Sequence, residues 1–210
     1  MPLTPEPDVS HGDWFTGRRE EDDLSSLGPA AFPRYARLRH PVYEGDDPTD
    51  PAALLCVEGD LEEPELAALV EVLGRHTTTP NDCFFGLWDG FGDIYGSPTV
   101  SVISFDDAGT PPVVPPAFAP QVTQGPRLHL PGRDYLLFRG ALADAGRWGA
   151  ADLVPGWARR INSPNLMWPA DHAWFVASEI DLPWTGIGGS AALIEELLST
   201  DTLDVVEVQR

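Results

Sequence analysis

The chain contains no lysine and little positive charge of any kind: 33 Asp and Glu stand against 13 cationic side chains, all of them Arg, for a formal net charge of -20. Without lysine, every Schiff-base mechanism and every phosphate-binding P-loop lysine is excluded. The shortage of cations argues against nucleic acid as a partner, because binding a phosphate backbone needs clustered positive charge to displace counterions. Any charged partner is expected to be basic. Arg in place of Lys, with abundant Ala, Asp, Gly and Pro, is also what a GC-rich coding sequence tends to produce.

Cysteine is nearly absent too. Cys56 and Cys83 both sit in apolar company and are read as buried thiols rather than as a disulfide or a nucleophile. No apolar run approaches the roughly 18 residues of a membrane span, and the first residues have neither a basic nor an apolar leader region, so a cytoplasmic protein that does not engage membranes is expected. His11, His40, His76 and His129 show no metal-ligand spacing, Gly90-Phe91-Gly92 lacks the third glycine of a dinucleotide fingerprint, and Ser190 lacks the nucleophile elbow. No cofactor, metal or catalytic residue is therefore assigned, and no internal repeat is found.

What is present is enough apolar material for a sizeable core: 42% of 210 residues, with seven Trp and nine Phe. Residues 1–31, rich in Pro, Gly and acids, read as an extended acidic N-terminal arm, partly disordered, and residues 32–210 as a single α+β domain. The stretch 32–42 suggests a first strand and 44–51 an acidic loop. A helix is expected from Glu63 to His76, with Pro64 and acids in its first turn, Arg75 and His76 at its end, and Leu66, Leu69, Val70 and Leu73 along one stripe. Cys83 to Trp88 reads as a strand covered on both faces, and Val100 to Phe105 as another. The prolines between Pro111 and Pro126 suggest a polyproline-like connector, and Pro131-Gly132 a turn feeding a strand from Asp134 to Arg139. Residues 141–157 are weakly helical. His172 to Leu182 reads as one long strand, Ser190 as the N-cap of a helix from Ala191 to Leu198, and Leu203 to Val208 as a last strand. Consecutive strands with few crossover helices predict an α+β fold: a mostly antiparallel sheet with helices packed on one side.

Several polar and aromatic residues are candidates for binding. Glu179 and Asp181, two apart on the expected strand, would project together and could take a cation or an Arg from a partner. The segment from Asn162 to His172 carries Asn165, Trp168, Asp171 and His172 between two prolines, and a stiff loop presents such groups at low ordering cost. Asp171 and His172 invite a general-base reading, but neighbours on an extended chain point to opposite faces. Trp88 and Asp89 lie on a glycine-rich turn whose ring and carboxylate suit a flat ligand or a sugar. Arg133 is one of few cations and could orient a carboxylate, or pair locally with Asp134. Each of these residues also has a purely architectural reading: a solvated strand face, a loop closed over a sheet edge, or a hairpin turn.

The blocks Arg75-His76-Thr77-Thr78-Thr79-Pro80, Phe85-Gly86-Leu87-Trp88-Asp89-Gly90, Leu130-Pro131-Gly132-Arg133-Asp134-Tyr135, Pro164-Asn165-Leu166-Met167-Trp168-Pro169-Ala170-Asp171 and Ala177-Ser178-Glu179-Ile180-Asp181, continuing to Gly188-Gly189-Ser190, resemble an uncharacterised protein family of high-GC bacteria over about residues 32–208. The resemblance implies a bacterial, cytosolic setting and transfers no activity.

The leading expectation is a non-enzymatic acidic binding protein that engages a basic protein partner, with an immunity-type inhibitor of a basic toxin as its specific form. The alternative is a hydrolase or small-ligand-binding protein using a carboxylate and aromatic pocket.

Overall fold

The computed structural model describes residues 1–16, 24–44, 54–56, 58–96, 114–153 and 155–209. In chain order the elements are β1 (Thr4–Pro5), α1 (Asp13–Thr16), β2 (Arg34–Arg39), β3 (Val42–Glu44), β4 (Leu54–Cys56), α2 (Glu63–Arg75), β5 (Cys83–Trp88), α3 (Pro120–Thr123), β6 (Leu128–Leu130), β7 (Arg133–Gly140), β8 (Leu166–Pro169), β9 (Phe175–Ser178), β10 (Trp184–Gly189), α4 (Ala191–Leu198) and β11 (Val205–Val208). Nine strands form one sheet in the order β1-β7-β5-β8-β9-β10-β2-β11, with β6 also paired to β7; β3 and β4 pair separately. Every pairing is antiparallel. This is the expected α+β class.

Side chains two apart on a strand share a face, and the central strands use both faces for burial. Phe85, Leu136, Phe138, Met167, Val176 and Ile187 turn to one side, where Leu69, Val72 and Leu73 of α2 and Leu193, Ile194 and Leu197 of α4 cover them. Phe84, Tyr135, Leu137, Leu166, Trp168, Phe175 and Ala177 turn to the other, against Phe15 and Leu24. Burial on both faces is why Cys83 to Trp88 reads as an almost unbroken apolar run. The two longer helices start as expected: α2 has Pro64 and Glu63 and Glu65 in its first turn, and Ser190 Oγ accepts from the Leu193 N–H at 3.2 Å to cap α4.

The N-terminal residues are not a separate arm. Thr4 and Pro5 pair with Arg139 and Phe138, Leu3 joins the helix-side core, and Phe15 is fully buried on the other face. Such a segment has no periodicity because it makes no face of its own; it supplies single anchors to a face made elsewhere. A Cβ on Gly186 of β10 would stand 2.1 Å from Ser26 O and 2.7 Å from Leu27 Cα, so that glycine is what lets residues 26 and 27 lie directly on the sheet. The acidic run Glu20 to Asp23 lies outside the described residues.

Other expectations change as well. The long strand from His172 to Leu182 is only β9; the Leu182 N–H donates to Glu179 O at 3.1 Å, closing a turn that holds Glu179 and Asp181 off the strand. The segment 162–172 contains β8, so it is not a presenting loop. The described residues of 141–157 hold a single 3-10 turn, Leu142–Asp144, because Gly146 and Gly149 take φ of 77° and 68° and break any helix. In the proline-rich stretch the described part contains α3, entered through Pro120. The strand expected at Val100 to Phe105, residues 45–51 of the acidic loop and the side chain of Cys56 lie outside the described residues. Cys83 is buried and free, its thiol pushed up to about 12 by burial, with the charges of Asp82 and Asp171 adding to the effect. Among the described residues no helix is long and apolar enough to cross a membrane.

Candidate functional site

Antiparallel pairing brings the C-terminal end of β5, the start of β7, the residue before β8 and the residue after β9 to one end of the sheet. Trp88 pairs with Tyr135, Gly86 with Leu166 and Leu166 with Ala177. Trp88, Asp89, Arg133, Glu179 and Asp181 therefore meet there, and Asn165 lies beneath them.

Arg133 is the centre. Its Nε and Nη2 donate to Glu179 Oε1 at 3.0 and 2.6 Å, and Nη2 also to Asp181 Oδ2 at 2.7 Å. The guanidinium carbon stands 5.7 Å from the Trp88 ring centroid. The bond to Glu179 raises the Arg133 pKa although burial opposes it, so this cation stays charged. The two carboxylates that could have acted together are thus bound by a cation from their own chain. Arg133 does not pair with Asp134, because neighbours on β7 point apart. Asp134 instead lies opposite His129 across the hairpin, with His129 Nδ1 2.6 Å from Asp134 Oδ1.

A second network adjoins it. Arg127 Nε lies 3.0 Å from Asp89 Oδ2, Tyr95 donates its hydroxyl to Asp89 Oδ1, and Arg127 Nη2 donates to the Tyr95 hydroxyl oxygen at 3.1 Å. Arg127 also donates to Gly125 O and Thr123 O, each at 2.6 Å, which ties the end of α3 to the site. Burial, then the bond to Asp89, raises the Tyr95 pKa despite Arg127. Burial would lower the Arg127 pKa, but Asp89 and Tyr95 raise it.

Asn165 supports both networks from below. Fully buried, it accepts the Trp88 N–H on Oδ1 at 2.8 Å and donates Nδ2 to Ser178 O at 3.1 Å, so it fixes the last residue of β5 against the last of β9. Ser178 in turn bonds Thr185 through its hydroxyl, and Thr185 Oγ1 lies 2.8 Å from His40 Nε2.

The remaining candidates are elsewhere. Trp168 is fully buried and stacks between Phe84 and Phe175 at 5.5 and 5.8 Å. Asp171 and His172 lie at the opposite end of β8 from Asn165. Asp171 accepts from the Thr77 hydroxyl at 2.8 Å, from the Thr78 N–H and hydroxyl at 2.7 Å each, and from the Ala173 N–H at 3.2 Å, which ties the turn to the residues after α2. His172 holds φ 53° and stacks on Trp14 at 4.3 Å. Both close the fold, and no general-base dyad forms.

The chain matches no protein-family model, no curated protein and no solved structure. The site must be read from its own chemistry. Among the described residues no group of three or more His, Cys, Asp or Glu could hold a metal ion. Among the described residues, Asp89 is held by Arg127 and Tyr95, Asp134 by His129, and Glu179 and Asp181 by Arg133. The outer rim, by contrast, is open: the Asp181 side chain is 73% exposed on the Arg133 side of β7, and His129, Asp134 and Tyr95 are exposed at the same end of the sheet. Arg127 escaped the sequence reading, since nothing in linear spacing joins it to Asp89, whereas Tyr95 lies on the same glycine-rich turn as Asp89. The His129–Asp134 pair was available in principle, because a two-residue Pro131-Gly132 turn sets those two opposite one another.

Proposed function

We propose that this is a non-enzymatic acidic binding protein whose sheet-end rim, carrying Asp134, Asp181, His129 and Tyr95, engages a basic protein partner; an immunity-type inhibitor of a basic toxin is the specific form of that reading. The observation that carries it is the Arg133 bond to Glu179 and Asp181. It occupies the two carboxylates that a hydrolase would use as acid and base and holds the exposed Asp181 in place; His129 holds Asp134. The net charge of -20 supplies long-range attraction for a cationic surface, and a preformed rim lowers the ordering cost of binding. The test is affinity capture from a native lysate at low and high ionic strength, using the wild-type chain and a variant carrying Asp134→Asn and Asp181→Asn. A basic protein retained by the wild type at low salt and lost by the variant supports the reading. Recovery of no basic protein, or equal recovery by both baits, overturns it.

A further inference from the structure

We infer that the sheet face around Arg37 and Trp184 is a docking surface for a partner-protein segment that presents a carboxylate among apolar side chains. Arg18, Arg19 and Arg210 lie outside the described residues. Of the ten other Arg, nine donate guanidinium hydrogen bonds to oxygens of the chain. Arg37 donates none and has no ion pair among the described residues; its Nε is buried without a partner. Its guanidinium carbon stands instead 4.0 Å from the Trp184 ring centroid. A cation that has lost part of its hydration and gained only a ring face in return still calls for an anion.

Strand register decides what surrounds it. Residues directly opposite one another on an antiparallel pair share a face, so Arg37 stands between Gly186 of β10 and Val206 of β11, neither of which carries a polar side chain. Tyr35 and Arg39 share that face of β2; Tyr35 donates its hydroxyl to Pro29 O at 2.6 Å, and Arg39 is taken by Asp204 at 2.7 Å. Glu207 lies opposite Ala36, which belongs to the helix-side core, and on that other face Arg34 holds both Glu207 and Glu195. Asp181, on the turn before β10, is held by Arg133, and residues 24–31 bring no charge. Two guanidinium groups therefore share the face with one carboxylate, and the unmatched charge is that of Arg37. Trp184, Val206 and Val208 are half-buried around it. A single planar fork fits a carboxylate, whereas a phosphate backbone needs clustered cations. Trp and Arg are also the side chains on which protein interfaces concentrate their binding energy. Charges more than about 8 Å apart are largely screened at physiological salt, so at contact the local excess outweighs the net charge of -20. The surface uses no residue of the sheet-end rim and does not depend on that reading.

NMR titration of the full chain, following the Arg37 Nε–H and Trp184 indole N–H resonances, tests this assignment. The probe is the capped pentapeptide Val-Leu-Glu-Leu-Val; the controls are the same peptide with Gln at its centre, and acetate. The Glu peptide should move both resonances saturably, and the Gln peptide should bind roughly tenfold more weakly or worse, as loss of a hydrogen bond to a charged group implies. Acetate, which lacks the apolar contact, should fall behind by a similar factor of about ten. Arg37→Gln alters a half-buried group with no protein partner, so the fold should hold while the preference for the Glu peptide disappears. Arg37→Lys should keep part of that preference, since the charge remains and the fork does not. A chain carrying Asp134→Asn and Asp181→Asn should bind the probe like the wild type, which separates this surface from the rim. No saturable shift with the Glu peptide, equal affinity for the two peptides, acetate binding as tightly as the peptide, or an undiminished preference in Arg37→Gln overturns the assignment. If Arg37→Gln does not fold, Arg37→Lys and the wild-type comparison of the two peptides decide it.

Discussion

Both hydrogen bonds from Arg133 to Glu179 end on one oxygen, Oε1, while Glu179 Oε2 is buried with no hydrogen-bond partner. The Glu179 side chain is 11% exposed and that of Asp181 73%, so the two carboxylates held by the same cation should differ in worth. Glu179→Ala should destabilise the fold by about 1.5–3 kcal/mol, the range for a hydrogen bond to a charged group. Asp181→Ala should cost under about 1 kcal/mol, as exposed ion pairs do. Urea denaturation of the two variants checks the order; equal losses would refute it.

Asn165 is expected to matter more than any exposed residue of the site. Asn165→Ala strands the Trp88 N–H and one acceptor position of Ser178 O in the interior, at about 1–3 kcal/mol for each group. Asn165→Asp should be no better, since a carboxylate cannot donate to Ser178 O and would carry charge into a buried position. Denaturation midpoints, with the Trp88 amide resonance followed by NMR, distinguish a local loosening at the end of β5 from general unfolding.

The turn at Asp171 and His172 should give stability two pH-dependent segments of the same sign. Burial works to raise the Asp171 pKa, but the bonds from Thr78, Thr77 and Ala173 together hold it below the usual carboxylate range. A depressed folded pKa means stability present above the unfolded value of about 3.9 and lost as pH falls through the folded one. Burial lowers the His172 pKa against the pull of Asp171. Its neutral ring is favoured in the fold, so stability is present above about pH 6.5 and lost as pH falls through the folded pKa. Urea midpoints measured from pH 8 to pH 3 should therefore decline in both windows. His172→Gln should flatten the upper one, and Asp171→Asn should shrink the lower one.

Phe15 tests the place of the N-terminal residues in the fold. It packs edge-on against Trp168 and Phe175 at 5.0 and 4.8 Å, so Phe15→Ala should cost about 3–5 kcal/mol, the range for a buried aromatic. A loose arm would lose nothing measurable. Thermal unfolding, with a dye that reports exposed apolar surface, separates the two outcomes.

Where a residue's neighbours are its own near sequence, the chain was readable. The stripe and end charges of α2, the Ser190 cap of α4, the apolar run of β5 and the Pro131-Gly132 turn are local patterns, and each produced the expected element. β10 was not readable, because Gly186, Gly188 and Gly189 look like a loop until Ser26 and Leu27, Phe32, and Leu193 are seen packed where their side chains would stand. β8 was hidden for a related reason: Asn165 and Trp168 look like exposed recognition groups, yet one satisfies two backbone groups inside the sheet and the other fills the aromatic layer beneath Phe15.

Composition alone determined the charge, the exclusion of lysine chemistry and the supply of apolar side chains for a two-faced sheet, since these are sums over residues that no folding can alter. Only the tertiary structure decided that Arg133 would fall on Glu179 and Asp181 rather than on Asp134, that Asp171 would bind the threonines after α2, and that Arg37 would meet the Trp184 ring rather than a carboxylate. Those outcomes depend on strand order and register, which bring together residues 40 or more positions apart, and no local preference encodes such pairings.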